Sequence, residues 1–156
     1  MVRIVDLKRN KDVNGLITIL TEGSIDKAEK AAEALGELRD KKAVKPLIKA
    51  LDSQYTGLRV MAARALGNIN DEEAVTPLIY LLPIGGYLTI ESTIALKKIL
   101  GDKAIDLFIK ILKGEVNGAK DIVARWSAAE TLGRLKNTRA VQPLIDVLHD
   151  ESKVSS

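Results

Sequence analysis

The segment that decides the fold reads LRVMAARALGNINDEEAVTPLI over residues 58–79, and copies of it recur along the chain. In three copies a glycine is followed by alanine after seven residues and by proline after ten; the pairs are Gly36 and Pro46, Gly67 and Pro77, and Gly133 and Pro143. A fourth copy keeps the intervals but has Lys97 and Leu107 in place of the glycine and the proline. Self-similarity with a period of about 30 residues indicates a repeat architecture.

Each copy is predicted to form two amphipathic helices. In the first, near residues 58–69, and in the second, near residues 43–51, apolar residues recur at the spacing of one helical face. Asp40 and Asp71 are expected to cap second helices. The glycines are expected to end the first helices or to let neighbouring helices approach closely. A helix pair this small cannot bury its apolar face alone, so we predict an all-α fold, a right-handed α-α superhelix of about four and a half two-helix repeats.

The repeats divide the chain into units of one predicted domain, residues 1–156. The leucines that end successive units are spaced by 31, 31, 30 and 36 residues: Leu20, Leu51, Leu82, Leu112 and Leu148. We predict a partial unit over 1–22, full units over 23–52, 53–83, 84–113 and 119–150, and a tail over 151–156. The excess before the last unit, residues 113–121, is either a lengthened surface loop or a bend that shapes a groove for a partner.

Composition excludes several classes of function. The chain has no cysteine, one histidine and a net charge of +3. It therefore lacks a disulfide framework and a cysteine- or multi-histidine-ligated metal centre. It contains no phosphate-binding glycine motif, no apolar run long enough for a membrane span and no signal-like start. We expect a cytoplasmic protein with no catalytic residues, no metal site and no cofactor. The absence of cysteine and the low glutamine content fit a thermophile.

The pattern resembles HEAT repeats, and more closely the short HEAT-like repeats of phycobilisome lyases. The residues that carry the resemblance are 58–67, 71–75 and 77–79. In that family an arginine of the first helix commonly pairs with acidic residues near the turns between helices. Arg59 and Arg125 hold this position, so the resemblance implies an inter-repeat role for them, together with Asp40 and Asp71. Ala28 and Thr89 hold it in the other full units, so we expect the ladder to be interrupted there.

The second helices are expected to line the concave face and to carry its partner-binding residues. The residues in the first turn of each second helix are Lys11, Lys42, Glu73, Lys103 and Arg139. A cation in a first turn opposes the helix dipole, so local stability does not explain this column, whereas attraction of an acidic partner does. The alternative is that these side chains are solvated or paired with nearby carboxylates. The other candidates on this face are Lys45, Lys49, Tyr80 and Lys110.

These features favour a non-catalytic protein-protein interaction scaffold that binds a protein partner on its concave face, and the basic column favours an acidic partner. One alternative is a nucleic-acid-binding HEAT-like module, and a weaker one is a bilin-lyase-like or other small-molecule enzyme.

Self-association through the solenoid ends is also expected, because no polar capping helix follows the last unit. Trp126 is expected to be half-buried against the insertion, with an exposed aromatic anchor as the alternative.

Overall fold

The structure is a computed structural model that describes residues 3–154, with side chains described over 3–149. This part of the chain contains helices and no strand. The partial unit comprises α1 (Ile4–Arg9) and α2 (Val13–Glu22). The later helices are α3 (Ile25–Leu38), α4 (Val44–Ala50), α5 (Thr56–Ile69), α6 (Val75–Ile79), α7 (Gly86–Leu100), α8 (Lys103–Leu112), α9 (Ile122–Leu135) and α10 (Val141–Val154). The predicted all-α fold is confirmed.

The helices stack as a solenoid of pairs. The first helices α3, α5 and α7 lie side by side. Each of the second helices α2, α4, α6 and α8 packs against the first helix that follows it. Leucine and alanine side chains from all units form one continuous buried core. The predicted repeat solenoid is therefore confirmed, with its core built from small and aliphatic residues.

Short polar side chains start the second helices. The Oδ1 atoms of Asp40 and Asp71 accept hydrogen bonds from the backbone N–H groups two residues later, at 2.9 and 3.0 Å. Each thereby satisfies an N–H group that has no partner within the helix. Asp71 also lies 3.1 Å from Lys41 Nζ of the preceding unit. The backbone hydrogen bond from Glu73 and the contact with Lys41 hold the pKa of the Asp71 carboxyl below its usual value. Asp71 thus links two units as well as capping a helix.

The repeated glycines do not end the first helices. Each helix continues past its glycine. The residue that follows the end of the helix has a left-handed backbone; these residues are Arg39, Asn70 and Lys136, with φ of 54°, 63° and 50°. Gly36 and Gly67 instead bring neighbouring backbones together. A Cβ atom on Gly36 would lie 2.7 Å from the Cα of Ala65, and one on Gly67 would lie 2.8 Å from the Cα of Ala95. The expectation of close approach is correct for these two glycines, and the expectation of helix termination is wrong.

Three contacts hold α5 against α7. The first is the contact of Gly67 with Ala95. The second is an ion pair of 2.6 Å between Arg64 Nη2 and Glu91 Oε1, whose hydrogen bond raises the pKa of Arg64. The third is a hydrogen bond of 2.7 Å that Lys98 Nζ donates to Asn68 Oδ1. Together they join two first helices along several turns.

The same three positions lose their complementarity between α7 and α9. The glycine–alanine contact is replaced by two larger side chains, the ion pair by an apolar residue and a serine, and the last pair by two cations. The replacing pairs are Lys97 with Thr131, Ile94 with Ser127, and Lys98 with Arg134. Consistent with this, α7 and α9 touch only slightly, and α9 packs mainly on α8 and on the turn Leu82–Ile84. The stack of first helices therefore opens at this point.

A hydrogen bond to the end of the preceding unit recurs at the arginine position of the first helices. Arg59 Nε donates to the Leu51 carbonyl at 2.7 Å, and Arg125 Nε donates to the Leu112 carbonyl at 2.9 Å. The acceptors are backbone oxygens and not the carboxylates that the family resemblance implies. Such bonds satisfy carbonyls that have no partner at a helix end.

Thr89 makes the corresponding bond in the third full unit. Its Oγ1 donates to the Leu82 carbonyl at 2.9 Å and accepts from the Gly85 N–H at 2.9 Å, in a buried position. Thr89 forms no ion pair with a carboxylate, but its hydroxyl makes the junction bond that the guanidinium makes in the other two units.

We expect alanine to have opposite effects at two aligned glycines. Gly67→Ala should destabilise the protein by about 1–3 kcal/mol, since the new Cβ would overlap the Ala95 backbone. Gly133→Ala should stabilise it by up to about 1 kcal/mol, because that helical position has nothing within 4 Å. Urea unfolding of both variants measures the difference. Equal effects at the two sites would contradict the close helix contact.

We also expect Thr89→Val to destabilise the protein by about 1–3 kcal/mol. The substitution keeps the shape of the side chain but leaves two backbone groups without their hydroxyl partner. Thermal unfolding measures the loss. Thr18→Val is the control, because the Thr18 hydroxyl is exposed and bonds only within its own helix, so a change within about 0.5 kcal/mol is expected. A Thr89→Val variant as stable as this control would show that the junction bond contributes nothing.

Candidate functional site

The clearest group of predicted binding residues lies on and just before α4. Lys42, Lys45 and Lys49, here called the lysine row, are all exposed. Their spacing places them along one side of the short 3-10 turn and the helix. Over the residues whose side chains are described, none of the three forms an ion pair or a side-chain hydrogen bond. By contrast, the adjacent Lys41 pairs with Asp71. The row is thus a local concentration of uncompensated positive charge.

The remaining predicted cations are arranged differently. Lys103 and Lys110 are exposed on α8, and Lys11 is exposed before α2 with φ of 54°. Arg139 donates to Asp106 on α8, so its charge is already partly compensated. These four cations therefore do not form a second group comparable to the lysine row.

Tyr80 lies at the end of α6 and contacts the insertion. A Cβ atom on Gly118 would lie 2.7 Å from two carbons of the Tyr80 ring, so the ring rests against the backbone of that loop. Gly118 has φ of 82°, a conformation that favours glycine. The other side of the ring stays exposed. Tyr80 therefore supports the insertion while remaining available on the second-helix face.

The structure contains a groove that the sequence did not predict at this location. It has a volume of about 650 Å³ and lies between α7 and α9, where the stack of first helices opens. Ile90 and Ile94 form one wall, and Val123 and Trp126 form the other. On the floor, Thr93 Oγ1 and Ser127 Oγ are 3.3 Å apart and buried. The groove is apolar on both walls and closed below by a polar contact between the helices.

Charged side chains surround one end of the groove. Lys97 and Arg134 lie there with Glu130, whose Oε1 is 3.8 Å from Arg134 Nη1. Lys97 has no ion pair among the side chains that the structure describes. The opposite end is formed by Gly85 and Gly86 at the beginning of α7. The charged end is therefore net basic.

Trp126 corrects one expectation. Its side chain is 66% exposed and lines the groove, so the half-buried position against the insertion is wrong and the exposed aromatic alternative is correct. In the other full units its column holds Glu29, Val60 and Ile90. The exposed indole lies on the side of α9 that lines the groove.

The sequence contains signals of an irregularity here, although they do not locate the groove. The replacement of the repeated glycine by Lys97 and the drift of the third unit were visible. The column that holds Ile94 carries charge in every other full unit, as Glu33, Arg64 and Glu130. An isoleucine at a position that is otherwise charged indicates an apolar surface. What the sequence did not show is that Ile94 and Trp126 face each other across a gap.

Within the residues that the structure describes, no three histidine, aspartate or glutamate side chains come together in a way that could hold a metal ion. Nor does any helix among them have the length and apolar character needed to cross a membrane. Arg59, Arg125, Asp40 and Asp71 make the junction and capping contacts described above.

Comparison with protein families finds two matches. HEAT repeats match residues 13–85, and the PBS lyase HEAT-like repeat matches residues 124–150. Residues 86–123, which include α7, α8 and the insertion, lie between the matched segments. A comparison with curated proteins found no match. The repeated sequence, the stacked helix pairs and these two matches together identify the chain as a HEAT-like repeat protein.

Proposed function

We propose that this chain is a non-catalytic, cytoplasmic interaction scaffold and that its second-helix face binds an acidic segment of another protein. HEAT repeats generally mediate protein-protein interactions, which supports the general class. The lysine row supports the finer assignment. The proposed contact residues are Lys42, Lys45 and Lys49, extended by Lys11, Lys103, Lys110, Arg139 and Tyr80.

The single observation that carries the proposal is the uncompensated charge of the lysine row. Three like charges on one side of a short helix repel each other, and Lys42 also opposes the helix dipole. A carboxylate-rich partner would remove both penalties. Elsewhere Lys41, Arg64 and Arg139 have acidic partners within the chain. Among the described side chains the lysines of the row have no such partner, so their charge is available to a ligand.

A nucleic-acid ligand is supported less well. Its phosphates require several cations on one continuous surface. Here the second-helix face also carries exposed Glu73, Asp106 and Asp146. These carboxylates interrupt the basic surface beyond α4. A short acidic peptide could contact the lysine row without meeting them.

We expect the triple variant Lys42→Glu, Lys45→Glu, Lys49→Glu to weaken binding of a labelled oligoglutamate peptide at least about tenfold, or about 1.4 kcal/mol. Charge reversal turns attraction into repulsion, and all three side chains are exposed, so the fold should be kept. Fluorescence anisotropy at low and at about 0.15 M salt gives the affinities, and circular dichroism checks the fold. Binding should weaken as salt screens the charges.

The matched control is Lys27→Glu, Lys30→Glu, Lys113→Glu. It changes net charge by the same amount at exposed positions on other surfaces, so it should retain most of the binding. Equal losses in the two triple variants would show that only net charge matters. Tighter binding of a labelled DNA duplex than of the peptide at about 0.15 M salt would favour the nucleic-acid alternative.

We also propose self-association through the end of the solenoid formed by α9 and α10. Val141, Ile145 and Leu148 are exposed on α10, whereas the aligned Val44 and Leu51 are buried under the following unit. Gly133 likewise faces open space, unlike Gly36 and Gly67. This end is a repeat interface that no described residue covers. Two copies can bury it by placing the same surfaces together.

We expect Leu148→Glu to reduce the molar mass measured by light scattering from that of a dimer to that of a monomer. Leu148 is 69% exposed, so the charge should disrupt the association and leave the fold intact. Tyr55→Glu, an exposed substitution on another unit, should leave the dimer unchanged. A wild-type protein that stays monomeric at high concentration would overturn the proposal.

A further inference from the structure

We propose that the α7–α9 groove is a second binding site, which accepts one amphipathic helix of a partner protein with an acidic side chain at the end that meets Lys97 and Arg134. The site is separate from the lysine row and does not depend on it. The groove lies between first helices, whereas the lysine row lies on a second helix.

The walls of the groove are surfaces that pack helices elsewhere in this chain. The α7 positions that face the groove are aligned with those through which α5 contacts α7, including Arg64 and Gly67. The α9 positions are aligned with those through which α7 contacts α5, including Glu91 and Ala95. Each wall therefore has the ridges of a helix that receives another helix.

The size of the groove fits a short helix. Its α7 wall extends from Gly86 to Lys97, which at 1.5 Å per residue is about 18 Å, or about three helical turns. Ile90 and Ile94 are 53% and 42% exposed, and Trp126 faces them. An apolar face of three to four side chains would cover these walls and exclude water from them.

The charged residues at one end of the groove indicate which kind of side chain the partner carries at that end. Lys97 and Arg134 meet at one end, and the only acidic residue of the groove, Glu130, contacts Arg134 loosely at 3.8 Å. A partner carboxylate there would pair with Lys97 and complete the pairing of Arg134. A basic residue at the same end would be repelled. The complementary partner is therefore an apolar helical face followed by acidic residues.

Trp126 makes the proposal directly testable, because it is the only tryptophan in the chain and lines the groove. The probe is a stapled helical peptide of about 16 residues, with leucines spaced along one face and glutamates at one end. Binding should shift the Trp126 emission to shorter wavelength and protect it from acrylamide quenching. A peptide with lysines in place of the glutamates should bind at least several-fold more weakly.

Two substitutions distinguish peptide binding in the groove from nonspecific apolar association. Ile94→Glu should weaken peptide binding at least about tenfold, and it should fold, since aligned positions hold Glu33 and Glu130. Ile122→Glu is the matched control: Ile122 is more exposed, lies on the same helix as Trp126 and does not line the groove. It should bind like the wild type. Lys97→Glu should reverse the preference between the two peptides.

Three results would overturn the proposal. One is the absence of any change in Trp126 emission at peptide concentrations up to solubility. Another is an equal loss of binding in Ile94→Glu and Ile122→Glu. The third is protection of Trp126 that increases with protein concentration alone, which would mean that a second copy fills the groove. Oligoglutamate binding measured on Ile94→Glu should be unchanged, so failure here is distinguishable from failure of the lysine-row proposal.

Discussion

The contact between Gly67 and the Ala95 backbone represents the constraint on which the architecture depends. Two first helices approach so closely that a Cβ atom at Gly67 would lie 2.8 Å from its neighbour. Helices at this separation exclude water from the space between them. The close contact also fixes where the remaining side chains of the two facing surfaces lie relative to each other. The Arg64–Glu91 ion pair and the Lys98–Asn68 hydrogen bond form across this contact, because the backbones hold their helices at a constant distance.

The loss of the same contact explains the site. Lys97 and Thr131 cannot approach as Gly67 and Ala95 do, so α9 turns away from α7 and packs on α8 and the Leu82–Ile84 turn instead. The facing sides of α7 and α9 then line a groove. Ile94 and Trp126 line this groove and are 42% and 66% exposed. The irregularity is thus the source of the apolar surface to which we propose that a partner helix binds.

Much of the fold followed from the sequence, because the repeats express local rules. Apolar spacing determined the helices, Asp40 and Asp71 marked their beginnings, and the intervals between leucines revealed the stacking. The roles of individual polar residues were less predictable. Arg59 and Arg125 bond to carbonyls, and Thr89 performs the same task with a hydroxyl. A comparison of residue types at aligned positions does not show that threonine and arginine can make the same bond. Which of them can do so depends on how closely the end of the preceding helix approaches.

By itself, the sequence determined that this protein is an all-α stack of helix pairs with an aliphatic, small-residue core and a row of lysines on one second helix. Periodicity and capping act over a few residues, so they can be read along the chain. The distance between α7 and α9 beside Lys97, and the position of Trp126 opposite Ile94 across the gap, became visible in the folded chain alone. Those facts depend on the distance between helices that lie about thirty residues apart, which results from packing and not from any local pattern.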